Sequence, residues 1–157
     1  MTESEFTRQI SALAEAAAKL NAESDTIDRL IVQLHEKLRA MNIGLEAWVK
    51  LHSEESSIAI QGQSTAVTLE TSLGYACGDD GWGLYVKRIA YRPRSSGLLA
   101  PLETPEPLKV NKWLKLLDTS RSIRIAALAA FPALFEALKT AAESAVQTIQ
   151  NSKKIVG

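Results

Sequence analysis

The stretch FTRQISALAEAAAKLNAESDTIDRLIVQLHEKLRAM, residues 6–41, carries an apolar repeat whose period decides how the rest of the chain must fold. Its apolar positions are Phe6, Ile10, Leu13, Ala17, Leu20, Ile27, Ile31, Leu34, Leu38 and Met41, and Ser24 fills the one polar slot. The steps alternate four and three without a slip, which is a heptad pattern and predicts one long helix with a sticky seam. Neither Gly nor Pro interrupts it before Gly44. Residues 21–26 (NAESDT) hold good N-cap types and could break the helix into a hairpin. The unbroken phase favours a single helix over about 3–42, stopped by a left-handed turn at Gly44. A helix of roughly ten turns, about 55–60 Å long, cannot cover its own seam. The seam residues Ile10, Leu13, Leu20, Ile27, Ile31, Leu34 and Leu38 are therefore expected to form an oligomer contact, and Ile31 and Leu34 sit where that contact should be strongest. Ala14, Ala16, Ala17 and Ala18 thin the first half, since an Ala buries far less area than a Leu.

After Gly44 the period falls from helical to two. Leu45, Ala47, Val49 and Leu51 alternate with polar or bulky neighbours as in a strand. HSEESS (52–57) reads as a polar loop, and Ile58 and Ile60 as a short strand. The clearest β signal is Val67, Leu69, Thr71, Leu73, Tyr75 and Cys77, followed by the turn residues 78–81 and then Trp82 to Tyr91. Pairing Cys77 with Trp82 sets Tyr75 against Leu84, Leu73 against Val86 and Thr71 against Arg88, so that apolar residues meet on one face. Residues 92–107 (RPRSSGLLAPLETPEP) read as a surface connector. A short amphipathic helix is expected near 108–117, and a second over 123–131. Pro132 then begins a new helix or kinks the old one. Phe131, Phe135, Leu138, Ala142, Ala145 and Ile149 form a second seam, and antiparallel packing of the two seam helices on one sheet face is the simplest way to cover both. Residues 151–157 should fray.

The expected fold is thus α+β in a single domain over 1–157. A helical arm (1–43) leads into an antiparallel meander of three or four strands (44–95), and a connector with C-terminal helices (96–157) follows.

Charge and composition bound the function loosely. The 18 basic and 18 acidic residues balance. Residues 1–60, however, hold ten acids against six bases, and the remainder carries the matching excess of four bases. The two ends can attract each other within a fold or between subunits, although solvated charges are the plainer reading. One cysteine, Cys77, excludes an internal disulfide and suits a reducing compartment. The N-terminus shows no basic and apolar leader pattern, and the longest apolar run, Ile125–Phe135, is far short of the roughly 20 residues that span a bilayer. A cytoplasmic protein without a membrane contact is expected.

No catalytic, cofactor or metal motif stands out. Cys77, His35 and His52 lack ligand or nucleophile–base spacing. GDDGWG (78–83) has adjacent acids at no calcium-loop offset and reads as a solvated hairpin tip. One surface invites a partner: WGLYVKRIAYRPR (82–94) sets Lys87, Arg88, Arg92 and Arg94 among Trp82, Tyr85 and Tyr91 without an acid. Cations that track phosphates beside rings that stack on bases are what single-stranded nucleic acid needs. The plainer reading is an outer sheet face with Lys and Arg stems over the rings. Arg121 and Arg124, placed unfavourably for a helix dipole, are expected to pair with acids such as Glu23, Asp28 or Glu36. The function expected is therefore non-enzymatic: an interaction or assembly protein that homo-oligomerises through its N-terminal helix and engages a further protein. Nucleic-acid association through 82–94 is the alternative, and no cofactor is implied.

Overall fold

The computed structural model describes residues 1–92 and 107–157. The connector expectation and Arg94 fall outside the described residues. Helix α1, Glu3–Met41, is one unbroken helix of 39 residues. Thr2 caps it: its hydroxyl accepts from the Glu5 amide while the Glu5 carboxylate accepts from the Thr2 amide. Asn42, at φ 49°, closes it in the left-handed region and donates its amide to the Arg39 carbonyl. Gly44 supplies a second positive φ two residues later. Residues 21–26 therefore do not break the helix, and Ser24 is buried within it.

Strand β1, Ala47–Ile60, and strand β2, Gln63–Gly78, form a long hairpin around Gln61-Gly62, both of which have positive φ as a two-residue hairpin turn requires. Strand β3, Gly81–Tyr91, pairs with β2 in the register expected from the sequence: Cys77 with Trp82, Tyr75 with Leu84, Leu73 with Val86 and Thr71 with Arg88. Strand β4, Pro107–Val110, and the two-residue strand β5, Leu114–Lys115, both add to β3, so the antiparallel sheet runs β1-β2-β3-β4 with β5 beside β4 on the same edge. A 3-10 turn, Leu116–Asp118, leads into α2, Arg121–Val156.

The class is α+β, and several finer expectations are corrected. Residues 52–57 are strand rather than loop: Ser53 to Ser57 pair with Glu70 to Ala66, and their exposure on both faces gives no alternation to read. A bulge between Lys50 and His52 bends β1 where this arm begins. Residues 107–110 and 114–115 are edge strands rather than helix, because the edge of β3 offers backbone groups to pair with, and Asn111 between them donates to the Arg88 carbonyl there. Pro132 neither starts nor ends a helix. It lies exposed inside α2, and its neighbours Phe131 and Leu134 are anchored in the core, which holds the helix through it despite the missing donor. Helix continues to Val156, so the C-terminal end is not frayed.

Both helices pack on one face of the sheet. The core joins Leu73, Tyr75, Leu84 and Val86 of the sheet to Ile31 and Leu38 of α1 and to Ala127, Phe131, Leu134 and Leu138 of α2. Two contacts fix the relative direction of the helices. The Arg124 guanidinium reaches Asp28 near the start of their contact, and Leu38 and Met41 share a groove with Leu138 and Ala142 near its end. Helices α1 and α2 therefore run side by side in the same sense, not antiparallel, because the contact starts at the earlier residues of both helices and ends at the later residues of both.

Candidate functional site

The seam of α1 is divided at its midpoint. Every residue from Met1 to Glu23 is exposed, including Phe6 (56%), Ile10 (49%), Leu13 (64%) and Leu20 (45%). From Ser24 onward the same heptad faces inward: Ile31 and Leu38 are buried, and Ile27 and Leu34 pack against the core. Most of the second half of the expected oligomer seam is thus consumed by the chain's own sheet and α2, which corrects the placing of Ile31 at an intermolecular contact; Leu34 is half-buried, packed on the core at one side. Ile10, Leu13 and Leu20 remain uncovered among the described residues.

Beside the seated half of α1 lies an apolar groove of about 310 Å³ between α1 and α2, with Leu34, Met41, Phe135 and Ala142 in its walls and Lys37 and Lys139 among its lining residues. Beyond it α2 continues with Val146, Ile149 and Ile155 exposed. By length and composition α2 could cross a membrane, with mean hydropathy 1.5 over 18 residues, yet its Ala127, Phe131, Leu134 and Leu138 face is occupied by the sheet.

The basic and aromatic segment is split rather than gathered. Trp82 stacks on Tyr75 on the helix-covered side, 5.5 Å between ring centres, and Arg88 alternates to that same side. Tyr85, Lys87 and Tyr91 alternate to the other face, and Arg92 is exposed just past the strand. On that opposite face three rings pack on one another: Trp48 meets Trp113 edge-on at 5.0 Å, and Trp113 meets Tyr85 at 5.9 Å. The Lys87 ammonium sits 3.9 Å above the Trp48 ring. Small residues of β2 make the floor. A side chain on Gly74 would overlap the Trp48 indole, and one on Gly78 would overlap the Tyr85 phenol. The Tyr85 hydroxyl donates to the Gly81 carbonyl, and the Trp48 indole N–H donates to the Glu46 carboxylate. Burial lowers the Lys87 pKa, against the raising pull of Glu46 and Glu70. The rings are thus committed to each other and to a cation. Trp48 and Trp113, which lie outside 82–94 in sequence, were invisible to a reading confined to that segment.

Two further cavities flank the hairpin tip. One, of about 420 Å³, lies between α1 and β3 with His35 against Gly83 and with Arg39, Trp82 and Lys115 in its lining. Burial, then Arg39, lowers the His35 pKa, with Glu36 opposing. The other contains Cys77, which is exposed, together with Asp79, Asp80, Lys112 and Trp113. There Lys115 pairs with Asp80 at 2.8 Å, each holding the other charged, and Lys112 approaches Asp79 at 3.9 Å. Cys77 and His35 line different cavities, and His52 is exposed on β1. Among the described residues no three His, Cys, Asp or Glu side chains gather as a metal site would need. In comparisons with known proteins, no family model, no curated protein and no solved structure matches this chain.

Proposed function

We propose that this chain is a non-enzymatic assembly protein that associates with a further copy of itself through the N-terminal half of α1. The supporting observation is the exposed half-helix that keeps a strict apolar repeat from Phe6 to Leu20 after the chain's own core has ended. Burying one large apolar side chain contributes roughly 1.5–3 kcal/mol, so four left in water are a strong drive to associate. The role is cytoplasmic on this reading, in keeping with the exposed and unpaired Cys77, and any further partner is a protein. Nucleic-acid binding has less support, because the rings and cations of 82–92 divide between two faces and Tyr85 is buried.

Sedimentation equilibrium at micromolar concentration tests the proposal. The wild-type chain should exceed its monomer mass, and Leu13→Asp with Leu20→Asp should return it to monomer without loss of helix signal. A monomeric wild type would overturn it. A gel-shift titration with single-stranded RNA and DNA at low salt should show no complex. A salt-sensitive shift lost on changing Lys87, Arg88 and Arg92 to Ser would restore the nucleic-acid reading.

A further inference from the structure

We infer that the α1 arm of one copy docks in the α1–α2 groove of a second copy, and that the exchange is reciprocal, giving a closed antiparallel dimer. The inference rests on the self-association proposed above and names the surface that receives the arm.

Geometry supplies the first argument. The arm and the seated half of α1 meet near residue 23, the middle of the helix. Two such helices laid antiparallel about that point set the arm residues Phe6 to Leu20 of each beside residues 26–40 of the other, alongside the groove. A two-fold interface of this kind closes on itself, and each subunit gives and receives the same element.

Charge supplies the second. Residues 3–23 hold Glu3, Glu5, Glu15 and Glu23 against Arg8 and Lys19, an excess of two acids. The residues that line the groove include Lys37 and Lys139 and no acid, while the seated half of α1 as a whole is neutral, with Arg29, Lys37 and Arg39 against Asp25, Asp28 and Glu36. A parallel pair would instead oppose one acidic arm to another and leave the apolar groove open.

Area supplies the third. The arm spans about 30 Å at 1.5 Å per residue and about 10 Å across. Two arms, each meeting one groove, bring roughly 1,200 Å² out of water in total, which is the size of a stable interface.

The test combines mass and distance. Ser11 is exposed on the arm and lies outside the seam, and Cys77→Ser frees the chain of its only thiol. A spin label at Ser11→Cys in that background should report about 35 Å between the two copies, twice the twelve-residue offset from the centre at 1.5 Å per residue. The changes Lys37→Glu and Lys139→Glu, both on exposed side chains, should weaken the dimer about tenfold while circular dichroism stays unchanged. A dimer with labels about 10–15 Å apart, the spacing of adjacent parallel helices, overturns the inference and leaves self-association standing. So does a mass that climbs beyond a dimer with concentration, which would mean arms docked head-to-tail in an open chain. An unchanged dimer affinity in the double lysine variant also overturns it. A monomer at all concentrations removes this inference and the proposed function together.

Discussion

Nε of Arg124 lies 2.9 Å from Oδ1 of Asp28, joining the first turn of α2 to the middle of α1. Both atoms are buried, and they approach off the axis of a hydrogen bond, so the contact is an ion pair. The same guanidinium donates through Nη1 to the Thr119 carbonyl at 2.5 Å and to the Leu117 carbonyl at 3.3 Å. Arg124→Ala removes all three contacts, and Asp28→Ala only one. Because the Asp28 side chain is 41% exposed, solvent screens the pair. Asp28→Ala should therefore cost about 1 kcal/mol and Arg124→Ala about 2–3 kcal/mol in urea unfolding. Equal costs would show that the carbonyl contacts contribute nothing.

Ile31→Asp should behave unlike any change in the arm. Ile31 is 2% exposed within the chain's own core, so a carboxylate there stays unpaired or takes up a proton. The variant should lose at least 3 kcal/mol and unfold cooperatively. Ala17→Asp, on the exposed half where an alanine buries little area, should cost far less and leave the monomer fold intact. Parallel losses in both, followed by far-UV circular dichroism, would mean that the helix is not divided at its midpoint.

Gly74 should resist any side chain. Gly74 is buried, and its missing methyl is where the Trp48 ring lies. Gly74→Ala should destabilise by about 1–3 kcal/mol. Trp48→Leu combined with Gly74→Ala should cost less than the sum of the two single changes. Strict additivity in the double-mutant cycle would sink this account of the contact.

His35 gives the fold a pH dependence of known sign. Burial and Arg39 depress its folded-state pKa below the ordinary histidine value of about 6.5. The unfolded chain therefore binds the extra proton first, and stability is fully present above about pH 6.5 and falls as pH drops through the folded-state value. Urea midpoints measured from pH 7.5 to 5.5 should decline in the wild type. The decline should be shallower in His35→Gln. An identical slope in both would assign the effect to other groups.

Legibility in the sequence followed how much of each element's pattern is set by the core. The register of β2 on β3 was readable because Leu73, Tyr75, Leu84 and Val86 must share one buried face. Continuity of α1 through Asp25 was readable because the heptad keeps phase there. The strand over 52–57 was not: its side chains are exposed, and the backbone ladder that holds it leaves no mark on residue type. Leu114 and Leu117 at helical spacing misled for the opposite reason. Both are exposed, and Leu116 between them is the buried residue. The shared direction of α1 and α2 was also hidden, since an apolar period is the same read either way. As for the aromatic face, Trp82 and Tyr85 are close in sequence but alternate across the sheet, so a contiguous stretch implied a surface that the pleat takes apart.

Among the described residues strand β1 pairs with β2 alone, and its other edge of amides and carbonyls meets no strand along its 14 residues. Such an edge invites a strand from another molecule and, unchecked, leads to fibrous aggregation. The sequence along it answers the threat. Lys50, Glu54 and Glu55 are all exposed, and the bulge at Lys50/His52 bends the ribbon away from a flat template. A second β1 laid alongside would bring carboxylates against carboxylates over residues 54–55. The polar run over residues 52–57, beyond the part of β1 that packs on the core through Ala47, Val49 and Leu51, thus acts as a guard against edge-to-edge pairing of one sheet with another.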